Sequence, residues 1–294
     1  MITSGEFNYI RDLVRDHSAL MLEPGKEYLV ESRLDSVVRT EGFASFQRMI
    51  ESLRAGSFGD LHRKVVEAMT NNETSFLRDT RVFGMFRNRT LPELVALRES
   101  ERSLNIWCAA CSSGQEPYSV AMLLREHLPS FASWQITLIA SDISRDMLAR
   151  ARAGRYSQFE INRGLPANLL VKYFAHRGSA WEIDSEIRRM VEFDEINLIR
   201  SWPRLPRMDV IFMRNVLIYL DLETKKRILA RVAHVLTPGG YLFLGGAETT
   251  TNLGDAFESV AFGGAMCFRL RQEARDVLKL HPARLGLATP ARQP

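Results

Sequence analysis

Residues 104–124, LNIWCAACSSGQEPYSVAMLL, read as a strand, a small-residue loop and a helix laid end to end. Leu104 to Trp107 is a short apolar, β-favouring run, and Ser112-Ser113-Gly114 is a break that lets the backbone come close to a ligand. Pro117 suits a first helical turn, where its missing N–H costs little. Tyr118, Val120, Ala121, Leu123 and Leu124 give that helix a wide apolar side. A strand that turns tightly into a helix N-terminus is the cofactor cradle of nucleotide-type α/β folds, whose ligands sit at the carboxyl ends of the strands.

The loop narrows the choice of ligand. Neither GxxxxGK[ST] nor GxGxxG is present, since Gly114 is its only glycine, so a pyrophosphate is disfavoured. Glu116, at the loop-helix junction, repels phosphate and favours a cationic ligand or an amine. S-adenosylmethionine, with a sulfonium, an amino group and no phosphate, suits that pattern. Trp107-Cys108-Ala109-Ala110-Cys111 is also a W-C-x-x-C sequence, the redox motif of thioredoxin-like proteins. That chemistry needs a helix beginning at the first cysteine to lower its thiolate pKa, whereas Gly114 and Pro117 place the helix later. A zinc site is disfavoured because no second Cys/His pair follows. The plain alternative is two small semi-buried side chains.

The run CAACSSGQEPYS resembles the glycine loop of the CheR-type chemotaxis methyltransferases, which methylate receptor glutamates. Asn72-Glu73-Thr74-Ser75-Phe76-Leu77-Arg78, Ala140-Ser141-Asp142-Ile143, Asn197-Leu198 and Arg214-Asn215-Val216-Leu217-Ile218-Tyr219 resemble that family's other motifs, in the same order. The resemblance spans nearly the whole chain. It implies a doubly wound, Rossmann-like S-adenosylmethionine-dependent methyltransferase sheet with an N-terminal helical domain and a small β-subdomain insertion. Leu77 stands where the family usually has phenylalanine, and Gln115 where it usually has glutamate.

Composition sets outer bounds. With 294 residues, 46% of them hydrophobic, the chain holds one large or two modest domains with a core. No run of about 18 apolar residues spans a bilayer, and MITSGEFNYI has no basic-then-apolar signal pattern, so a cytoplasmic protein is expected. Cys108, Cys111 and Cys267 make no disulfide framework and fit a reducing compartment. The formal charge of +4 is mild, and residues 1–70 carry nine Lys/Arg against eleven Asp/Glu. Neither part has the clustered basic residues of a nucleic-acid arm.

In chain order, helices are expected over about 6–17, 26–40, 44–54 and 57–70, a small bundle forming an N-terminal domain of residues 1–70. Arg33 falls on the apolar stripe of Leu29, Leu34, Val37 and Val38. Its stem then covers apolar surface while its guanidinium reaches water. The resemblance implies that residues 71–90 serve as linker and first cofactor-contacting segment, and 91–272 as the α/β domain. Asn72 and Thr74 would by default cap a following helix.

Ile136 to Ala140 is a second strand, and Asp142 at its end either grips ribose hydroxyls or caps the helix Arg145 to Arg152, for which Ser144 is the better-placed cap. Residues 154–190 are an insertion, because ordinary αβ connections take two to six residues, with Trp181 to Ile183 and Ile187 to Val191 as short strands. Val191 to Phe193 and Met208 to Met213 are further core strands. Arg214, beside Asn215 at the end of the second of these, needs a carboxylate from the cofactor or from a nearby Asp or Glu. Tyr219, a helical turn beyond Asn215, either points its hydroxyl into the same cleft or is an amphipathic core tyrosine. Asp221 caps a helix over 222–236, Thr237 to Gly240 stop it, and Tyr241 to Leu244 and Met266 to Leu270 are strands. Residues 273–294 look like a tail or linker.

The resemblance adds roles. It implies that Asn72, Thr74 and Arg78 reach the cofactor and its methyl group, that Asn197 and Leu198 contact the adenine side, and that Arg33 and Arg39 face the acidic receptor bundle. In some members the β-subdomain docks a receptor tail peptide. Here the hairpin around His176 to Ala180 is short and glycine-poor, and such docking is not expected. The reaction it implies is methyl transfer from S-adenosylmethionine to a glutamate carboxylate of the receptor's cytoplasmic helical region, giving a γ-methyl ester and S-adenosylhomocysteine. A carboxyl with a reference pKa of about 4.3 is already ionised at neutral pH and needs no base, so alignment is the main task. Arg78 would guide the acceptor and Tyr219 wall the methyl pocket. Methylation of another acceptor, or a non-catalytic module that senses the cofactor or binds a helix, are the competing functions.

Overall fold

The computed structural model describes residues 2–127, 133–251 and 253–271. The stretch 273–294, read above as a tail or linker, lies outside the described residues.

Four helices open the chain: α1 (Ser4–Ser18), α2 (Glu27–Thr40), α3 (Phe46–Ala55) and α4 (Asp60–Met69). Thr3 and Glu6 form a reciprocal capping box on α1, and Ser45 caps α3, which satisfies amides that the first turn leaves free. Ile10, Val14, Val30, Leu34, Met49 and Val65 close a separate core between the helices. The chain then passes through an irregular stretch and a turn to helix α5 (Thr80–Met85), a π turn over Phe86–Thr90 and α6 (Leu91–Leu97). Leu91 N donates to Phe86 O in the widened turn, just before Pro92, which has no N–H to give.

The α/β domain follows: β1 (Ser103–Ala109), α7 (Gln115–His127), β2 (Gln135–Asp142) and α8 (Arg145–Ala153). The insertion comprises β3 (Arg155–Tyr156), α9 (Gln158–Asn162), α10 (Ala167–Tyr173), β4 (Phe174–Arg177), β5 (Ala180–Ile183) and α11 (Ser185–Arg189). The chain ends with β6 (Val191–Glu195), β7 (Met208–Met213), a short 3-10 turn over Leu217–Tyr219, α12 (Leu222–Val235), β8 (Leu236–Leu244), β9 (Phe257–Phe262) and β10 (Ala265–Leu270).

Seven strands form one sheet in the order β6-β2-β1-β7-β8-β10-β9, and β3-β5-β4 form a small antiparallel sheet. The first five are parallel and β10 and β9 are antiparallel. The sheet order reverses direction at β1, so the crevice outside the carboxyl ends of β1 and its neighbours is where this architecture places a ligand. Trp107, Met208, Val210, Ile211 and Phe212 are fully buried, as strands covered on both faces require. No described helix is long and apolar enough to cross a membrane.

Two expectations need correction, and one strand was missed. Ile187 to Val191 is not a strand: Asp184 accepts from Glu186 N and starts α11, and only Val191 enters a strand, β6. Thr237 to Gly240 do not merely stop α12; they already belong to β8, whose pairing with β7 shifts register there. Strand β9, pairing with β10 across Gly263-Gly264, was not anticipated.

The insertion packs on the segment entering the sheet domain. Phe76, fully buried, meets Tyr156 edge-on at 5.0 Å and Phe174 at 5.5 Å between ring centres. Phe76→Ala should therefore cost about 3–5 kcal/mol of stability, whereas Phe159→Ala, at a ring 70% exposed, should cost less than about 1 kcal/mol. Chemical denaturation of the two variants checks this, and equal losses would contradict the packing role of Phe76.

Candidate active site

A cleft of about 980 Å³, open mouth included, lies over the carboxyl ends of β1, β2, β6 and β7. Register brings its parts level: Ala109 pairs with Ser141, Asp142 with Glu195, and Cys108 with Phe212, one strand over. The segment 70–75 with Arg78, together with Ser18 at the end of α1 and Leu20 beyond it, completes its walls.

The loop after β1 is backbone under constraint. Ala110 and Ser112 both adopt left-handed φ, 57° and 50°, which costs on the order of 1 kcal/mol or more for a residue with a Cβ. Three bonds hold the loop there: Cys111 N to Ser141 O at 2.8 Å, Ser112 N to Asp142 Oδ2 at 2.8 Å, and Ser112 Oγ to Asn72 O at 2.7 Å. Gly114 does not line the cleft; Ala110 to Ser112 do. At φ 93°, a Cβ on Gly114 would lie 2.9 Å from that of Ala151, so its bareness lets α8 lie against the turn.

Asp142 is buried at the floor, with Oδ1 accepting from Ser144 N at 2.9 Å and Oδ2 from Ser112 N. Burial pushes its carboxyl pKa up, and the amide donors hold it down in part. The carboxylate, with about four acceptor sites, keeps capacity for a further donor. The cap of α8 is Ser144, whose Oγ accepts from Met147 N, so Asp142 is free of that duty. Ser144 Oγ also donates to Glu67 Oε2 at 2.9 Å, tying α4 of the helical domain to this floor.

Arg214 and Glu116 form a buried ion pair, Nη1 to Oε2 at 3.0 Å, with side-chain exposures of 3% and 12%. Glu116 is therefore the carboxylate that Arg214 required. Burial raises the Glu116 pKa and Arg214 opposes the shift. Arg214 Nη2 donates to Arg78 O at 2.6 Å, and the guanidinium lies 5.5 Å from the Phe83 ring centre. Arg214 Nε is buried with no partner among the described residues.

Arg78 and Tyr219 face the same cleft from different parts of the chain. Leu77 and Asp79, at φ 48° and 63°, make the turn that presents Arg78, and Leu77 N donates to Ser119 Oγ at 2.9 Å. Arg78 Nη1 donates to Glu73 O at 3.1 Å, and Tyr219 Oη accepts from Asn71 Nδ2 at 2.6 Å. Asn72, Thr74, Asn197, Leu198 and Asn215 also line the cleft. Asn197 Nδ2 donates to His17 O at 2.7 Å, so it joins this wall of the cleft to the end of α1.

Arg33 and Arg39 lie elsewhere. Arg33 Nη1 donates to Met69 O at 2.5 Å and Thr70 O at 2.9 Å, so the guanidinium, expected to reach water, is spent on the C-terminus of α4. Arg39 is exposed and paired with Asp35 one turn earlier. Sequence reasoning missed Glu248, a buried carboxylate that accepts from the amides of Asn215, Ile218 and Gly245. An acid directly after an apolar strand and two glycines was the available signal.

The dithiol reading fails on geometry. Cys108 lies within β1 and Cys111 precedes α7, both buried, and desolvation pushes both thiols well above the usual range. Cys267 is likewise buried, its pKa pushed up to about 12.

The sequence signature of the family described as "CheR methyltransferase, SAM binding domain" matches residues 72–263, and that of "CheR methyltransferase, all-alpha domain" matches residues 5–70. Chemotaxis protein methyltransferase 1 of Pseudomonas aeruginosa is 38% identical over 273 residues, 91% of this chain and 98% of that protein. Chemotaxis protein methyltransferase Cher2 of Pseudomonas putida is 38% identical, over 87% of this chain and 94% of its own. The chemotaxis protein methyltransferase of Vibrio parahaemolyticus is 36% identical, over 92% and 98%.

Burial at all three thiols predicts that native protein at pH 8 takes up no iodoacetamide over the time in which denatured protein is fully alkylated. Rapid native labelling at Cys108 or Cys111 would reopen the redox reading.

Proposed function

The chain belongs to the CheR methyltransferase family, and from that premise we propose how its own residues carry the family's reaction. It is an S-adenosylmethionine-dependent chemotaxis protein methyltransferase, converting chemoreceptor glutamates to γ-methyl esters. The cleft's donor set fits the cofactor: Asp142 has acceptor capacity left for hydroxyls, and Arg214 keeps one buried unpaired N–H. When bound, the cofactor supplies a methyl group activated on sulfonium sulfur.

Asp142 accepts the ribose hydroxyls, because a carboxylate takes two O–H donors at once. Asn197 and Leu198 wall the adenine side. Asn72 and Thr74 close the cleft from the helical domain's side, and Asn215 with the Arg214–Glu116 pair lies toward the amino-acid end. Gly114 serves by packing the turn on α8. Arg78 guides the acceptor carboxylate, holding it by charge without blunting it as a nucleophile, and Tyr219 walls the methyl pocket. The acceptor is already ionised, so the protein's work is alignment and exclusion of water as opposite charges cancel.

The single observation that carries these roles is that Arg78 and Tyr219, from the two sides of the sheet-domain entrance, line one cleft with Asp142. We place receptor contact on the α2 face bearing Arg39 and assign Arg33 to holding α4. The acceptor region is the receptor's cytoplasmic helical part, so the enzyme works in the cytoplasm. The short β4–β5 hairpin does not dock a receptor tail peptide in this reading.

Arg78→Ala should leave the dissociation constant for S-adenosylhomocysteine within about threefold while lowering methyl transfer about 100-fold. Calorimetric titration beside transfer of labelled methyl to a receptor fragment reads both. The label should leave as methanol in alkali; alkali-stable label, or unchanged turnover in the variant, would remove the ester product or Arg78, respectively, from the mechanism.

A further inference from the structure

Arg214, Asn215 and Tyr219 all reach the cleft from one short irregular stretch between β7 and α12. Asn215 is left-handed, φ 59°, which a non-glycine residue keeps only when its surroundings impose it. What imposes it is a carboxylate from the far side of β8. Glu248 Oε2 accepts from Asn215 N at 2.7 Å and from Gly245 N at 2.6 Å, and Oε1 accepts from Ile218 N at 3.2 Å. Glu248 is 7% exposed, and all three donors are main-chain amides. Gly245 makes room: a Cβ there would lie 2.7 Å from Oε2 and 2.6 Å from Asn215 Nδ2.

We propose that Glu248 is a positioning residue for methyl transfer, clamping both ends of the Asn215–Ile218 turn so that Arg214 and Tyr219 stand at fixed places in the cleft. One bond falls on the residue after Arg214 and another on the residue before Tyr219. Glu248 does not itself line the cleft, and acts through these neighbours. Its charge state matters for a specific reason. A carboxylate offers acceptor sites on both oxygens, whereas a glutamine offers one oxygen and turns an NH₂ donor on the third amide. The two short bonds share one oxygen, so a glutamine can keep Asn215 and Gly245 while opposing Ile218, the residue next to Tyr219. The proposal rests on the methyltransferase reading for its consequence in turnover, but not for its consequence in backbone protection.

The test uses the full chain as E248Q and E248A. In E248Q, Ile218 amide hydrogen exchange should quicken at least tenfold while that of Asn215 stays within threefold; in E248A both should quicken. With a receptor fragment, E248Q should lose at least tenfold in kcat, with KM for the fragment and Kd for S-adenosylhomocysteine within threefold, and E248A should lose more. Unchanged Ile218 exchange in E248Q would overturn the clamp. Quickened exchange with kcat within twofold of the parent would overturn its role in transfer, as would a kcat loss matched by an equal fall in the fraction of protein that binds S-adenosylhomocysteine. If the parent itself fails to methylate the fragment, the acceptor reading falls, and the exchange result alone decides whether Glu248 holds the turn.

Discussion

The buried pair between Arg214 and Glu116 is the interaction on which the cleft depends. It joins the end of β7 to the first turn of α7, and through Arg214 Nη2 it takes hold of the Arg78 carbonyl. Three parts of the chain far apart in sequence therefore meet at one guanidinium. Desolvating both charges offsets much of their attraction, so the pair is a poor source of stability, yet losing one partner would strand the other at a cost of about 3–5 kcal/mol. Its value lies in orientation. A planar fork can satisfy a carboxylate and a carbonyl at once, which a lysine cannot do with the same fixed geometry.

Around that pair, left-handed backbone gathers at the cleft: Leu77, Asp79, Ala110, Ser112 and Asn215 all have positive φ. Three of these are held by a partner from a different part of the chain: Ser119 holds Leu77, Asp142 holds Ser112 and Glu248 holds Asn215. The helical domain is drawn into the same network. Ser144 donates to Glu67, Asn197 donates to the His17 carbonyl, and Leu20 bridges Leu220. Cleft walls built from both domains explain why a small segment such as 70–78 lines a cleft whose floor lies in the sheet.

Much of this was legible in sequence where a local pattern has one cause. Apolar runs at 104–107, 136–140 and 208–213 became core strands, and polar residues directly after them became the cleft. Ile187 to Val191 misled because Ile187, Met190 and Val191 fit helical spacing as well as a short strand; Asp184 followed by Ser185-Glu186 was the helix-start signal that should have decided it. Strand β9 was overlooked although Gly263-Gly264 between apolar runs is a hairpin signal. The pairing of Glu116 with Arg214, the closure of α4 by Arg33 and the clamp of Asn215 by Glu248 join residues 33 to 98 positions apart. No local periodicity encodes such contacts. Gly114 shows the limit most plainly: its need was readable, but whether its bareness served a ligand or a neighbouring helix was decided only by where α8 lay.

The central claim is that a nucleoside lies over the ends of β1 and β2 with its reacting side toward a guanidinium from outside the sheet. A crystal structure with S-adenosylhomocysteine tests it most directly. The account predicts both ribose hydroxyls within hydrogen-bonding distance of the Asp142 carboxylate and the sulfur on the side of the cleft shared by Arg78 and Tyr219. A nucleoside bound elsewhere, or a sulfur facing away from both side chains, would contradict it.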